Sequence, residues 1–384
     1  MNWDDIIVDA TATDTGMRRS NNQDSHTIVR ASKVETWRSR GHIFMVADGM
    51  GAHAVGELAS KLACDNIPHN YNKTKAGPPA EAITKAYKQV GGIIHGKAAA
   101  NRDFQGMGTT CSTLLLMPEG ALIAHVGDSR VYRIRNGRID QLSFDHSLAW
   151  ELVRRKHLSA EQATKAVPRN VITRSLGPDP NVEVDIEGPL PVELGDVFLL
   201  CSDGLSGLVE DPELGAFGGN FHPQDACRYL LHLANLRGGH DNITVVMVRI
   251  GPWVDPESDA DVPALAGSQS GEAKKGWIKG LSGLLAPKKK VETVEENRYR
   301  SCDCPISAAL VDRLAELVAR TQQVAVEQTW PIDWASLANL RRDAASDRSA
   351  DRLRRSLRSI GEAIDMLGQA GRLHKKTIGQ ANVG

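Results

Sequence analysis

Residues 42–57 read HIFMVADGMGAHAVGE, an apolar run that passes through a glycine-rich turn into an amphipathic stretch. The apolar residues 42–47 predict a buried strand, and residues 53–66 predict a helix. Between them, Asp48 opens the turn Asp48-Gly49-Met50-Gly51. Taken alone, an Asp-Gly pair is an ordinary turn.

Three more aspartates stand where predicted strands meet turns. Asp24 and Asp241 precede strands, and Asp203 follows one. Carboxylates at several strand ends can converge at one edge of a sheet structure. Ligation by oxygen alone favours Mg²⁺ or Mn²⁺ over zinc. With Asp48, these residues predict a two-metal site that hydrolyses a phosphate ester in one step, without a covalent enzyme intermediate.

Other residue types suited to phosphate chemistry surround these acids. Arg19 lies five residues before Asp24, and its guanidinium can grip phosphate oxygens; the alternative is a solvated surface charge. His53 has a side chain whose pKa suits protonation of a leaving alkoxide; the alternative is a packing residue. Gly49 belongs to neither a GxGxxG nor a Walker loop, and it lets a backbone carbonyl approach an ion.

Short strands alternate with helices over residues 1–250. Two of the strands are joined by the hairpin-length connection Pro118-Glu119-Gly120. This mixture predicts an α+β fold with antiparallel sheets covered by helices rather than a doubly wound sheet. The predicted strands are 25–29, 42–47, 110–117, 121–126, 196–201 and 243–250. The predicted helices are 53–66, 79–100, 147–155 and 224–236.

The composition changes after residue 250. Residues 251–304 predict a flexible linker that contains the lysine-flanked amphipathic segment 274–290, KKGWIKGLSGLLAPKKK. Its apolar face and basic rim suggest contact with an anionic membrane surface or a partner groove, although three glycines disfavour a helix. Residues 305–384 predict a helical, hairpin-like region of unknown role, which is a candidate for protein–protein contact.

Overall composition excludes several classes of protein. Lys and Arg number 46 against 47 Asp and Glu, so no global field indicates nucleic acid as a partner. The N-terminus lacks the pattern of a secretory signal, and no apolar run reaches the roughly 18 residues of a membrane span. The six cysteines predict reduced thiols in a cytoplasmic protein, and none has the C-x5-R spacing of a phosphocysteine loop.

Seven ordered motifs over residues 9–250 resemble the metal-dependent protein phosphatases of type 2C, in their bacterial form. The motifs are RRSNNQD (18–24), VADGMGAHAVGE (46–57), GTTCSTLLL (108–116), HVGDSRVYRIRNGRI (125–139), ITRSLG (172–177), LCSDGLSGLV (200–209) and GGHDNITVVMV (238–248). The resemblance implies a β-sandwich of two antiparallel sheets flanked by helices, with the metals at one end.

The same resemblance implies roles for the candidate residues. Asp48, Asp203 and Asp241 would ligate one ion, and Asp48 with the Gly49 carbonyl would ligate the other. Asp24 would act near the first ion through water.

The resemblance also implies roles for residues around the two ions. Arg19 would hold the substrate phosphate, and Asp128 would reach a third, weaker ion. Residues 145–182 would form a variable flap that bears on substrate choice.

Three departures from the family pattern bear on the site. Gln23 replaces a frequent glutamate, so one acidic contact to the metal waters becomes neutral. Gly207 replaces an aspartate that helps hold the third ion, which we therefore expect to be weak or absent. Met50 replaces a histidine of some eukaryotic members, which leaves His53 as the candidate acid.

Two functions follow as alternatives. The first is a phosphatase acting on phosphoserine and phosphothreonine in proteins, commonly opposing a cognate kinase. The second is a catalytically weak binding module that works through its helical tail. Because all four metal aspartates are retained, we expect activity. We also expect a cytoplasmic protein, with peripheral membrane contact as the alternative that segment 274–290 suggests.

Overall fold

The structure is a computed structural model that describes residues 6–51, 55–74, 77–155, 162, 171–255 and 299–381. Within those ranges, no helix combines the length and the apolar content that a membrane span requires. The segment 274–290 and His53 both lie outside the described residues, so their predicted roles stay predictions.

The described strands form two antiparallel sheets. In chain order they are β1 (Ile7–Asp14), β2 (Asp24–Val29), β3 (His42–Met50), β4 (Gly108–Thr109), β5 (Cys111–Met117), β6 (Gly120–Val126), β7 (Arg130–Arg135), β8 (Arg138–Gln141), β9 (Asp185–Leu190), β10 (Val197–Cys201), β11 (Ile243–Ile250) and β12 (Arg300–Asp303). The first sheet has the order β1-β11-β10-β7-β8-β12. The second has the order β2-β3-β5-β6-β9, and β4 pairs with β3.

Helices cover the outer faces of both sheets. In chain order they are α1 (Val34–Arg40), α2 (Val55–Lys73), α3 (Pro79–Ala100), α4 (Leu148–Arg154), α5 (Asp203–Ser206), α6 (Asp211–Asn220), α7 (Pro223–Leu236), α8 (Ala308–Glu327), α9 (Trp334–Ser349) and α10 (Leu353–Ala381). The helices α2 and α3 pack on the second sheet, whereas α6 and α7 pack on the first.

Strand β3 shows why the two sheets face each other. Ile43 and Met45 point into the core beneath α2 and α3, whereas Phe44 and Val46 point into the core between the sheets. Side chains alternate along a strand, so a strand buried on both faces is apolar at nearly every position. The predicted β-sandwich flanked by helices is therefore confirmed.

Most predicted elements of the first 250 residues are present with small changes of length. Strand β3 continues through Met50, so Asp48 lies within the strand rather than after it. Helix α2 extends to Lys73 instead of ending at residue 66. The sequence did not predict β1, β7, β8 or β9, whose polar residues mask the alternation of a half-buried strand.

The region after residue 250 differs from the prediction in two ways. Residues 300–303, predicted as the end of a linker, form β12 and pair with β8 at the edge of the first sheet. Where a hairpin was predicted, α9 stands between α8 and α10, so the described tail has three helices. Only Leu337 and Ala344 of α9 are buried, which leaves no strong apolar stripe in its sequence.

These tail helices share one hydrophobic cluster with α6, α7 and the first sheet. Leu357, Ile360, Ile364 and Leu367 of α10 form an apolar stripe that is buried in it. The division of the chain at residues 250 and 304 stays a prediction, but the tail is not a separate body.

The sandwich core makes a specific prediction about stability. Phe44 has no exposed surface and lies between the two sheets. We expect Phe44→Ala to lower the free energy of unfolding by about 3–5 kcal/mol because it leaves a cavity in close-packed surroundings. Urea denaturation followed by circular dichroism measures this, with the exposed Leu373→Ala as control. A loss as small as that of the control would contradict the assigned core.

Candidate metal centre

Two neighbouring strands of the second sheet bring two of the predicted aspartates face to face. Asp24 begins β2 and stands directly opposite Asp48 of β3 in the strand register. Side chains in such cross-strand pairs have Cβ atoms about 4.5–5.5 Å apart. The two carboxylates therefore share one end of the second sheet.

The first sheet supplies the other two predicted aspartates. Asp203 follows β10 and begins the short helix α5, and Asp241 stands two residues before β11. The strands β10 and β11 are antiparallel neighbours, with Cys201 opposite Val245. Their ends consequently lie at the same end of the sandwich as Asp24 and Asp48.

A buried serine joins the two sheets at this point. The Ser202 hydroxyl donates a hydrogen bond to Asp24 Oδ2 at 2.7 Å and accepts one from the Thr244 N–H at 2.9 Å. Ser202 has no exposed surface. Sequence reasoning missed this residue, whose only signal was its position directly before Asp203.

The backbone of Asp48 is fixed by other polar groups. Its N–H donates to Thr110 Oγ1 at 2.9 Å, and its carbonyl accepts from the Thr110 N–H and the Thr109 hydroxyl, each at 2.9 Å. Thr110 Oγ1 in turn lies 2.7 Å from Ser129 Oγ. The strand is therefore held through the main chain of Asp48, and its carboxylate is not needed for that purpose.

Glycines allow the chain segments of the centre to approach closely. A Cβ atom on Gly49 would lie 2.0 Å from the Gly56 carbonyl oxygen at the start of α2. A Cβ atom on Gly204 would lie 2.0 Å from the Asn242 carbonyl oxygen, beside Asp241. Any larger residue at either position would push apart the segments that carry the aspartates.

Burial and mutual repulsion raise the pKa values of the clustered carboxyls. Burial raises the pKa of Asp24 to about 7, with Asp203 and Asp241 adding to the shift against the hydrogen bonds from Thr244 and Ser202. Burial and then its four acidic neighbours raise the pKa of Asp48 well above its usual range. Burial and then Asp241 also raise the pKa of Asp203.

Asp128 belongs to the same group of acids. It lies in the turn between β6 and β7, and burial followed by repulsion from Asp203 raises its pKa to about 8. Position 207, where the resemblance implies an aspartate for the third ion, is a glycine. Asp128 thus lies close to the other acids, but residue 207 adds no carboxylate beside it.

Three oxygens of the cluster are buried without a hydrogen-bond partner: Asp24 Oδ1, Asp128 Oδ1 and Asp203 Oδ1. A buried anionic oxygen without a partner is costly unless a cation neutralises it. The candidate metal ligands are all oxygen atoms, which suits a hard divalent ion. With their side chains as they stand, however, the described residues contain no group of three or more His, Cys, Asp or Glu arranged to hold an ion.

Arg19 lies at the edge of this cluster. Its Nη2 atom is 2.7 Å from Asp241 Oδ2, and both side chains are partly exposed. The hydrogen bond to Asp241 raises the pKa of Arg19, and Asp48 and Asp203 add to the effect. The guanidinium therefore engages one of the predicted metal ligands in this structure.

A second residue that sequence reasoning missed holds the loop bearing Arg19. Asn242 is buried, and its Nδ2 atom donates to the carbonyls of Thr15 at 3.1 Å and Asn21 at 2.9 Å. Its Oδ1 atom accepts from the Gln23 N–H at 2.8 Å. Asn242 therefore fastens the loop to the start of β11, next to Asp241.

The cluster opens into a cleft of about 1060 Å³. Asp128, Asp203 and Asp241 line one end, and His240 stands beside Asp241. Farther out, the wall includes Trp150 of α4 and Arg300 of β12. The strand β12, which the sequence analysis placed in a linker, thus contributes to the wall of the cleft.

Comparison with known proteins gives consistent matches over the first two thirds of the chain. The model of the family described as protein phosphatase 2C matches residues 17–234. The serine/threonine phosphatase stp of Listeria welshimeri is 34% identical over 241 residues, which cover 62% of this chain and 93% of that protein. The protein phosphatase PhpP of Streptococcus pneumoniae is 33% identical over 254 residues, covering 65% and 98%.

Solved structures of serine/threonine phosphatases also match this chain. The serine/threonine phosphatase PstP/Ppp of Mycobacterium tuberculosis has a TM-score of 0.56 and 30% identity, with 64% of this chain and 99% of that chain covered. The catalytic domain of PstP in complex with two manganese ions has a TM-score of 0.54 and 29% identity, with coverage of 64% and 99%.

The raised pKa values predict how ion binding depends on pH. A carboxyl whose pKa is higher in the folded protein than in the unfolded chain stabilises the metal-free fold. This stabilisation is complete below the unfolded-state pKa, near 4, and is lost as the pH rises through the folded-state pKa of about 7 for Asp24 and about 8 for Asp128. An ion must displace any remaining protons, which changes its binding free energy by about 1.4 kcal/mol per pH unit and proton.

We therefore expect Mn²⁺ to raise the melting temperature of the chelator-stripped protein more at pH 8.5 than at pH 6. Differential scanning fluorimetry measures this shift. A control variant, Asp24→Asn, removes one titrating carboxyl and should show a smaller difference between the two pH values. An equal Mn²⁺ effect at both pH values in the wild type would contradict the assignment.

Proposed function

The chain belongs to the protein phosphatase 2C family, and on that premise we propose that it hydrolyses phosphoserine and phosphothreonine in proteins with two divalent ions held by Asp48, Asp203 and Asp241. The observation that supports this most strongly is the meeting of four aspartates from both sheets, of which Asp24 is buried and Asp241 is partly exposed, beside the exposed Arg19. In support, the relative stp is named a serine/threonine phosphatase and the relative PhpP a protein phosphatase.

We propose that Asp48, Asp203 and Asp241 ligate one ion and that Asp48 with the Gly49 carbonyl ligates the other. Two such ions, when bound, lower the pKa of a water molecule and offset the negative charge of a transferring phosphoryl group. Asp241 now pairs with Arg19, so its carboxylate has to turn from the guanidinium towards the ion. Asp241 would thereby exchange its hydrogen bond with Arg19 for a bond to the ion.

The same exchange frees Arg19 for substrate. A guanidinium presents two parallel N–H donors to phosphate oxygens, and Asn242 holds the loop that carries it. We propose that Arg19 binds the phosphate group at the open side of the centre. Its partly exposed side chain lets it reach a phosphate that enters from the cleft.

Asp24 has a different role in this proposal. One of its oxygens already accepts the Ser202 hydrogen bond, which leaves only Oδ1 without a partner. We propose that Asp24 acts on the first ion through a water molecule and that Ser202 sets its orientation. Asp128 would reach a third ion only weakly, because Gly207 offers no second carboxylate.

Manganese or magnesium suits these oxygen ligands, and a relative of known structure holds two manganese ions. For the proton of the leaving alkoxide, His53 stays the predicted donor and lies outside the described residues. His240 in the cleft wall is a second candidate, because it adjoins Asp241. The substrates would be phosphoproteins of a cognate kinase, in the cytoplasm.

The alternative of a weak binding module is not favoured. Each of the four aspartates is retained, and the fold brings them to one end of the sandwich. Membrane contact through 274–290 and partner contact through the tail stay predictions. The tail buries its apolar stripe against the phosphatase fold, so that stripe is not available to a partner.

Two substitutions test the proposed centre. We expect Asp48→Asn to lower kcat on a phosphothreonine peptide by at least about 100-fold, since it removes a shared ligand of both ions. We expect Arg19→Ala to raise KM by roughly 10- to 100-fold, the loss of a charge-assisted phosphate contact. The exposed neighbour Arg18→Ala serves as control.

The measurement is a steady-state assay at saturating Mn²⁺, with circular dichroism to verify folding. Wild-type turnover by Asp48→Asn would contradict the metal assignment. An unchanged KM for Arg19→Ala, with Asp48→Asn inactive, would contradict the phosphate role alone.

A further inference from the structure

The last helix of the chain reaches the loop that carries Arg19. Lys375 of α10 donates from Nζ to the Gly16 carbonyl at 3.1 Å and to the Arg19 carbonyl at 3.3 Å. Both acceptors belong to the main chain, and one of them is that of Arg19 itself. The ammonium group therefore bridges two main-chain carbonyls of this loop.

An ion pair between the partly exposed Arg372 and the buried Asp14 fixes the start of the same loop. Arg372, one turn before Lys375, places Nη2 2.8 Å from Asp14 Oδ2. The Asp14 side chain is only 1% exposed, and its Oδ1 atom accepts from the Gly16 N–H at 2.8 Å and from Asn235 Nδ2 at 3.1 Å. The turn at Gly16 thus has its conformation set by a carboxylate that α10 neutralises.

The position of α10 along the phosphatase fold is closely constrained. Gly361 and Gly368 lie seven residues apart on the face towards α7, where added Cβ atoms would lie 2.6 Å from Tyr229 and 2.3 Å from His232. Asp365, between them, pairs with Arg228 of α7 at 3.0 Å. The helix is therefore held in one register, and this register brings Arg372 and Lys375 to the loop.

The loop from Asp14 to Arg19 also packs against Asp241 of the candidate metal centre. Gly16 has a φ of +72° and packs so closely that an added Cβ atom would lie 2.1 Å from the Asp241 carbonyl oxygen. Arg19 contacts the Asp241 carboxylate. The main chain of the segment from Asp14 to Arg19 thus contacts both α10 and Asp241, which limits its movement and leaves the Arg19 side chain free to turn.

We propose that Arg372 and Lys375 are positioning residues that hold the Arg19 loop in its phosphate-binding conformation. This inference rests on the proposed role of Arg19. Both residues lie beyond residues 17–234, the range that the protein phosphatase 2C family model matches. In this protein, the C-terminal helices complete the substrate site instead of forming an independent module.

The role predicts a specific kinetic signature. Holding Arg19 in place favours phosphate in the ground state and the transition state alike, so its loss raises KM and leaves kcat nearly unchanged. Neither residue contacts the aspartates that are proposed to bind both ions, and the Mn²⁺ dependence should therefore stay constant. A merely structural role would instead lower the melting temperature and the active fraction without a selective change in KM.

The experiment uses full-length protein with Lys375→Met, which keeps the length of the side chain and removes its donors. We expect KM for a phosphothreonine peptide and the inhibition constant of inorganic phosphate to rise together by about three- to tenfold, as for the loss of one or two hydrogen bonds. We expect kcat and the half-saturating Mn²⁺ concentration to stay within about twofold. The exposed neighbour Lys376→Met is the matched control, and Lys375→Arg should restore most of the affinity.

A double-mutant cycle with Arg19 separates the two proposals. If Lys375 acts through Arg19, Lys375→Met adds nothing to KM in an Arg19→Ala background. The same rise in both backgrounds, or an unchanged KM in the wild-type background, would overturn the inference while leaving the role of Arg19 intact. An unchanged KM for Arg19→Ala would overturn both. Should Lys375→Met fold poorly, Arg372→Gln gives a second reading with the same expected signature.

Discussion

The repulsion among buried carboxylates at the end of the sandwich is the constraint on which the rest of this structure depends. Asp24 and Asp48 stand opposite each other in one sheet, and Asp203 and Asp241 come from neighbouring strand ends of the other. Each aspartate by itself is an ordinary residue of a turn or a strand. Together they form a concentration of negative charge that favours a cation and that only a firmly packed sandwich can hold in place.

That packing explains the composition of the strands. Phe44, Val46 and Val246 fill the space between the sheets, while alternate residues face the covering helices. Close main-chain contacts at Gly49 and Gly204 then bring the acidic positions within reach of one another. The hydrogen bond from Ser202 to Asp24 connects the two sheets at the same point. Fold and site are therefore parts of one arrangement.

Part of this was predictable from sequence, because apolar runs that end in Asp-Gly mark two strands and the acids Asp48 and Asp203, whereas Asp24 and Asp241 stand just before strands. Hairpin-linked strands mixed with helices predicted antiparallel sheets covered by helices, and the resemblance carried by the ordered motifs implied the sandwich. Ser202 and Asn242 were missed, since their roles depend on contacts between residues more than 150 positions apart. Strand β12 and helix α9 were missed because each buries too little apolar surface to leave a pattern.

The central claim is that these aspartates bind two divalent ions. The most direct measurement is anomalous diffraction at the manganese edge from crystals of the full-length protein grown with Mn²⁺. Our account predicts two peaks, one within ligand distance of Asp48, Asp203 and Asp241 and one beside Asp48 and the Gly49 carbonyl, with Arg19 turned away from Asp241. Manganese peaks confined to other residues, or an intact pair between Arg19 and Asp241 with no peak beside it, would contradict it.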